Sequence, residues 1–404
     1  MWERDWAIAS AYIHLPFCRR RCFYCDFPIV VVGDRPDSPS IPAYLGFLQQ
    51  EIHLTAQRHP PHPLETVFFG GGTPSLVAPA QLGEILQQLD QTLGLAQGVE
   101  IAMEIDPGTF DLGRLRDYRA VGVNRFSLGV QAFQDELLAS CGRSHNLADV
   151  ETALGYFHQA QIENFSLDLI SGLPDQTLGQ WEESLRRAIA HQPHHLSCYD
   201  LVLEPVTPFG KRYEPGTAPL PEDMLTAQMY RTAQALLTAA GYDHYEISNY
   251  AQPGHQCRHN RTYWENRPYY AFGLGAASYT PEGRFTRPRT RADYFAWVEA
   301  GAMPVVEEVG ESDRLLETLM LGLRLTEGIA WERFTPVEQA QIRATLAPYA
   351  AQGWVNLGGD GYASADGYAN ADGYASADRL ALTDPEGLLF SNTILASLFA
   401  QFDP

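Results

Sequence analysis

Over the first 250 positions, short β-rich runs alternate with longer stretches whose apolar residues recur at helical spacing. The pattern predicts strands at residues 11–15, 66–69, 100–104, 125–129, 164–169, 195–200 and 243–247. Leu82, Ile85, Leu86, Leu89 and Leu93 stripe one helix, Leu45, Leu48 and Ile52 mark another, and residues 225–240 read as a long later one. Strand and helix in repetition is the pattern of parallel β/α units, either a barrel or an open sheet. The predicted class is therefore α/β. The expected strands end in Gly70-Gly71-Gly72-Thr73-Pro74, Asp106-Pro107-Gly108-Thr109, Gly129-Val130-Gln131 and Ser171-Gly172-Leu173-Pro174. Ligands of β/α folds gather at that end of the strands.

After about residue 250 the pattern changes, which divides the chain into 1–250, a connecting segment 251–310 rich in aromatics and glycine, and a module 311–404. In that module helical stripes (Leu315, Leu319, Leu323) precede a second helix at 336–350, strands at 353–357 and 379–382, and a last helix at 386–399. That order suggests a small C-terminal α/β module resembling a winged helix. Between its strands the hexad Asp-Gly-Tyr-Ala-Ser/Asn-Ala repeats through residues 360–377. Calcium-binding turns are one reading; a solvated insertion at a hairpin tip is the plainer one, because loops tolerate added length cheaply.

Composition adds constraints. The 404 residues are 45% hydrophobic and 19% charged, enough to build a sizeable core. Lys plus Arg is 28 against 49 Asp plus Glu, a net charge of −21, which repels phosphate backbones and leaves nucleic acid an unexpected partner. The first ten residues hold Glu3, Arg4 and Asp5 and lack the apolar run of a secretory signal, and no stretch reaches the ~20 apolar residues of a membrane helix. A cytoplasmic protein is expected, where thiols stay reduced.

The six cysteines then need a use, and three crowd together. Cys18, Cys22 and Cys25 form a C-x3-C-x2-C run just after the first expected strand, interleaved with Arg19, Arg20 and Arg21. Zinc sites close with paired ligand sets, and no second pair follows. Three thiolates on one loop suit three irons of a 4Fe–4S cube with the fourth iron open to an exchangeable ligand. The arginines are expected to lower the thiol pKa values. Cys141 and Cys198 read as packing residues.

Six further motifs occur in order: Tyr12-Ile-His-Leu-Pro-Phe-Cys18, Phe69-Gly-Gly-Gly-Thr-Pro74, Glu104-Ile-Asp-Pro-Gly108, Ser127-Leu-Gly-Val-Gln131, Arg143-Ser-His145 and Asp168-Leu-Ile-Ser-Gly-Leu-Pro174. With the cysteine loop they resemble the radical S-adenosylmethionine (SAM) superfamily, and within it the oxygen-independent coproporphyrinogen III oxidase family with its branch of HemW-type haem chaperones. The resemblance implies a partial parallel β/α barrel and a 4Fe–4S cluster on Cys18, Cys22 and Cys25 whose open iron chelates SAM. Tyr12 and Tyr24 would line the SAM site. Gly71, Gly72 and Thr73 would let the backbone approach the SAM amino group, and Glu104 and Asp168 would accept hydrogen bonds from the ammonium or the ribose. Arg143 would pair with the SAM carboxylate and Gln131 would bond a polar edge.

Two features separate the branches. The oxidases carry a fourth cysteine two residues past the third, where this chain has Phe27, and they extend further before the motif equivalent to Tyr12. Phe27 cannot relay a proton or electron, so coproporphyrinogen oxidation, the alternative activity, is not expected. Cys257-Arg-His259-Asn-Arg-Thr-Tyr-Trp264 contains the H-N-x-x-Y-W motif of the chaperones. By resemblance His259 is a haem ligand, Arg258 or Arg261 meets propionates, and Cys257 approaches the haem, although a histidine among aromatics is more often a hydrogen-bonded core residue. The expected function is a haem chaperone passing haem to acceptor proteins. A homodimer and peripheral membrane contact with acceptors are left open.

Overall fold

The computed structural model describes residues 7–35, 38–306, 310–358 and 378–402. Its principal sheet has nine strands: β1 (Ser10–Leu15), β2 (Leu64–Gly71), β3 (Leu95–Ile105), β4 (Arg125–Gln131), β5 (Phe165–Ser171), β6 (His195–Asp200), β7 (Asp243–Glu246), β8 (Asn249–Ala251) and β9 (Tyr270–Phe272). The spatial order is β9-β1-β2-β3-β4-β5-β6-β8-β7. Every pairing from β9 through β6 is parallel, and β8 and β7 close that side antiparallel. The two edge strands β9 and β7 are not paired with each other, so the sheet stays open.

Alternation within the strands decides what each face does. Ala11, Ile13, Val67, Phe69, Met103, Phe126, Leu128, Leu167, Leu169 and Leu196 belong to one apolar core with the flanking helices. Their neighbours at the other parity, among them Tyr12, Glu104, Ser127, Asp168 and Ser197, line cavities on the opposite face. Successive side chains of a strand point to opposite faces, so a helix-covered exterior and a polar interior follow from one period-two pattern. The helices begin at side-chain caps: Asn146, Thr177 and Thr335 accept from the third helical N–H of Leu147–Gln159, Leu178–Ala190 and Pro336–Ala351.

The expected α/β class with parallel strands and a smaller C-terminal module holds. Two departures stand out. The segment 243–247 was expected to continue the β/α series, but it enters the sheet antiparallel through β8. The three-residue β9, which the sequence did not mark, adds a parallel strand beside β1. In the module, helices Glu311–Gly322, Pro336–Ala351 and Ser391–Phe402 surround three short strands in the order Ile329–Ala330, Arg379–Leu382, Val355–Asn356, with Ile329–Ala330 unanticipated. Leu319, Ile342, Leu346, Leu380 and Ile394 form its separate core. The 360–377 repeat lies outside the described residues. No helix among the described residues is long and apolar enough to cross a membrane.

A buried ion pair fixes β9 in place. Arg287 Nε donates to Glu51 Oε1 at 2.7 Å, and both side chains are 0% exposed. Glu51 Oε2 also accepts from Tyr294 Oη (2.6 Å) and from the Gly273 N–H (2.8 Å). Nearby, Tyr44 Oη donates to the His14 carbonyl and accepts from the Leu274 N–H. Helix Ser40–Ala56 thus grips the chain just past β9. Removing one partner of a buried pair strands the other charge, which costs about 3–5 kcal/mol. Glu51→Ala is therefore expected to lower the urea midpoint of unfolding by the equivalent of that amount. A midpoint equal to the parent's would show that the pair contributes nothing.

Candidate functional site

After β1 the chain enters a two-residue strand, Phe17–Cys18, that pairs parallel with Val30–Val31. The Val30 N–H donates to Pro16 O (2.7 Å) and the Val32 N–H to Cys18 O (2.9 Å), which pins both ends of the cysteine loop. Cys18, Cys22 and Cys25 are half-buried, unpaired thiols on this loop. The end of β2 supports it from below. The Gly72 N–H donates to Leu15 O (2.9 Å) and the Thr73 N–H to Phe17 O (2.6 Å). A Cβ on Gly72 would lie 2.6 Å from Phe17 O, and Gly71 has φ +112°. Only glycine permits that approach and that conformation. The Gly71 N–H donates to Glu104 Oε2 at 2.9 Å. All three amides of Gly71, Gly72 and Thr73 are thus committed to the fold, so what these residues can offer an ammonium is carbonyl oxygen.

Arg143 ties the loop to the sheet. Its guanidinium bonds Asp106 Oδ1 and the Gly129 carbonyl (3.1 Å), and Nη1 lies 3.3 Å from Tyr24 Oη and 3.5 Å from Cys22 Sγ. On its other side Asp106 accepts from Thr73 Oγ1 (2.9 Å), which lies 3.9 Å from Cys18 Sγ. Arg143, expected to await a carboxylate, already has one in Asp106. The expected influence of the loop arginines on the thiols is also corrected. Burial pushes Cys18 up to about 12 and raises Cys25, outweighing Arg21 beside Cys25. Arg19 pairs with Asp34 at 3.0 Å, and Arg21 donates to the Cys25 and Phe27 carbonyls.

The loop opens onto a cavity of about 490 Å³ at the carboxyl ends of the strands. It brings together Cys18, Cys22, Cys25, Tyr24, Gly71, Gly72, Thr73, Glu104, Gln131, Arg143 and Asp168 from the sequence expectation. Asp106, Ser127 and Tyr199 line it too and were not singled out. Two-residue spacing from Glu104 and from Ser197 could have found Asp106 and Tyr199. Burial raises Glu104 to about 8 despite the Gly71 N–H, with Asp168 and Asp106 adding repulsion. Burial likewise raises Asp168, although Ser127 Oγ donates to it at 2.8–2.9 Å. Asp26, Glu104, Asp106, Asp168, Asp200 and Glu204 line the cavity against Arg19, Arg20 and Arg143, and two of those arginines are already paired, Arg19 with Asp34 and Arg143 with Asp106, a composition suited to a cationic ligand. Cys18, Cys22 and Cys25 are three free thiols on one loop, a donor set able to offer one thiolate to each of three irons of a cluster.

A second cavity of about 280 Å³ lies on the same face and shares Phe27, Gly71, Glu104, Ser127, Asp168 and Tyr199 with the first. Tyr12 lines this inner chamber rather than the outer cavity; its Oη meets His14 Nδ1 at 3.1 Å. His259 also lies here, on helix Arg258–Trp264. Glu100 starts that helix by accepting from the Arg258 and His259 N–H groups (3.3 and 3.1 Å) and lies 3.8 Å from Cys257 Sγ. His259 is 1% exposed, its Nδ1 meets Thr66 Oγ1 at 2.8 Å and its Nε2 meets Tyr263 Oη at 2.8 Å. Burial, then Arg267, lowers its pKa to about 3.

Both ring nitrogens of His259 are thus engaged by hydroxyls in this structure, and ligation of an iron would require one of these bonds to be exchanged. Thr66 stands five residues before Gly71 along β2, roughly 16 Å of strand, so His259 sits toward the end opposite the cysteines. Arg261 is engaged by Glu265 and Glu327, and Arg258 by the Gly98 carbonyl. Cys141 is buried in a small apolar cluster and Cys198 packs against the main core, as expected. His259→Ala is expected to destabilise the fold by about 1–3 kcal/mol through the stranded Thr66 and Tyr263 hydroxyls, seen as a lower melting temperature. A drop in haem affinity at unchanged melting temperature would identify it as a ligand.

Comparison with known proteins agrees with this architecture. A family model of the radical SAM superfamily matches residues 12–188, and one of the HemN C-terminal domain matches residues 311–363. Heme chaperone HemW of Synechocystis is 49% identical over 403 residues, spanning 98% of this chain and 97% of that protein. Heme chaperone HemW of Bacillus subtilis is 36% identical over 80% of this chain and 86% of its own length. The solved structure of coproporphyrinogen III oxidase (HemN) from Escherichia coli, 22% identical, superimposes with a TM-score of 0.78 over 96% of this chain and 89% of that one, which shows a shared fold. On these similarities the chain belongs to the HemW family of the radical SAM superfamily.

Proposed function

We propose that the protein is a haem chaperone: it binds haem and passes it to acceptor proteins, with a 4Fe–4S cluster on Cys18, Cys22 and Cys25 and SAM in the adjoining cavity. The observation that carries this reading is the 49% identity, end to end, with a heme chaperone HemW. The site is compatible with it. Cys18, Cys22 and Cys25 would hold three irons, and the cluster, when bound, supplies a redox centre with one iron open to an exchangeable ligand. Glu104 and Asp168 would face the positive groups of SAM, Gln131 a polar edge, and Tyr24 would pack beside it. Arg143 would keep the loop aligned through Asp106. Six unpaired cysteines are what a reducing cytoplasm maintains, and we place the protein there.

The rival reading, coproporphyrinogen oxidation, has only the shared fold behind it, while Phe27 stands where that branch has a cysteine. Anaerobically reconstituted protein is expected to take up haem with a saturable Soret shift. Given coproporphyrinogen III, SAM and reductant, it is expected to form no protoporphyrinogen. Appearance of protoporphyrinogen would overturn the chaperone reading.

Glu104 gives the SAM site a pH signature. Burial holds the carboxyl at about 8, so below that pH a cationic ligand must displace its proton. SAM affinity is therefore expected to rise with pH and level off above about 8. Glu104→Gln removes a charge-assisted contact, so it should weaken SAM binding about 10- to 100-fold and flatten the profile. Calorimetric titrations between about pH 6 and 9 check both; a slope that survives the substitution assigns the proton to another group.

A further inference from the structure

The mouth of the outer cavity is lined with apolar surface that folding has left uncovered. Phe27 is 57% exposed, Val202 64% and Tyr199 42%, and all three line the cavity. Val31 and Val206 extend the same two segments, 27–31 and 199–206, which hold five of the ten large apolar side chains that are exposed among the described residues. Single exposed apolar residues are ordinary, but a concentrated patch at a cavity rim marks a binding surface. The chain flanking the two segments is tied together: the N–H of Phe209, just past the second, donates to the carbonyl of Phe23, just before the first, at 3.0 Å, the Phe23 N–H donates to Cys141 O at 2.9 Å, and the Phe23 and Phe209 rings stand 6.0 Å apart. Contacts at these flanks limit how far the rim can rearrange, which lowers the cost of binding.

Its charge is unusual for this chain. At a net −21 the molecule repels anions, and Asp26, Asp200 and Glu204 line the same cavity. Of the three loop arginines, Arg19 is paired with Asp34 and Arg21 braces the loop carbonyls. Arg20 lines the cavity, is exposed, and has no partner among the described residues. One apolar ledge with one free cation beside it matches a flat apolar ligand whose negative charge is confined to an edge. An acidic protein surface or peptide would meet the three carboxylates instead.

We propose that this rim is the haem seat: the macrocycle lies across Phe27, Tyr199 and Val202, and a propionate pairs with Arg20. The proposal rests on the chaperone reading and names its site. The cavity, at about 490 Å³, is near the low end of the roughly 300–1,000 Å³ typical of pockets for one drug-sized ligand. With the cluster and SAM inside, little of that volume is left for a tetrapyrrole, and the mouth offers the uncovered apolar surface. Phe27 then acquires a physical purpose, a flat apolar face offered to the macrocycle where the oxidase branch has a thiol.

The test is a set of Soret titrations of the full-length, cluster-reconstituted protein with hemin and with hemin dimethyl ester, whose propionates carry no charge. Phe27→Asp and Val202→Asp are each expected to weaken hemin binding about tenfold or more, by placing a carboxylate under the ring. Arg20→Glu is expected to weaken hemin while leaving the ester unaffected. Val337→Asp, which alters a valine of similar exposure (68%) on helix Pro336–Ala351, is expected to bind like the parent. If Phe27→Asp and Val202→Asp titrate as the parent does, haem sits elsewhere and the rim proposal falls while the chaperone reading stands. If Arg20→Glu weakens hemin and ester alike, the propionate contact is overturned. A parent that takes up no haem removes the chaperone reading itself.

Discussion

A hydrogen-bonded belt centred on Arg143 holds the functional end of the molecule together. It runs from Cys22 through the Arg143 guanidinium to Asp106, on to Thr73, and back to Cys18. The cysteine loop is thus tied near both ends to β3, β4 and the turn after β2, three elements distant in sequence. A buried guanidinium is tolerable only when its charge and donors are met, so Asp106 and the Gly129 carbonyl are as necessary as the arginine. Glycine at 71 and 72 makes the approach sterically feasible. Thiol placement is therefore a property of the barrel rim and of the loop jointly.

The same belt creates the electrostatic imbalance of the cavity. Because Asp106 consumes the charge of Arg143, Glu104 and Asp168 face the cavity with hydrogen bonds but no cation. Burial then lifts both above the usual carboxylate range. Water does not relieve such groups inside a protein as it does in solution, and a bound cation does. The site is thus prepared for a positive ligand by where Arg143 is spent, rather than by any single acidic residue.

How much of this was legible depended on range. The strands and the amphipathic helices were readable because their signal is local: parity along β1 to β6 and apolar spacing through residues 82–93. The cysteine loop was readable because its donors are neighbours in the chain. What failed was long-range. β9 is only three residues long and exists because Glu51 and Tyr44, more than two hundred positions earlier, hold the chain beside β1. Asp106 looked like part of a turn until Arg143 was seen to meet it. The surroundings of His259 could not be read, because a motif gives residue types but not the end of the sheet on which they fall, and its nitrogens meet Thr66 and Tyr263 from two different elements. The loop arginines were given an influence on the thiols that burial overrides.

The position of helix Arg258–Trp264 has a consequence for every ligand. Ser10, Thr66 and Glu100, toward the amino ends of β1 to β3, bond Thr262, His259 and the first turn of that helix. The helix thereby packs under those strands, and the inner chamber above it is walled by side chains already bonded to one another, such as His195 with Ser166 and Tyr245. Access from that side would require breaking several buried hydrogen bonds at once, each costly to leave unmade. Entry is thus far easier at the carboxyl ends of the strands, where the cysteine loop and the segment after β6 meet. On the proposed reading, in which a cluster and SAM fill that opening, a large flat ligand is left the rim, where Phe27, Tyr199 and Val202 remain exposed.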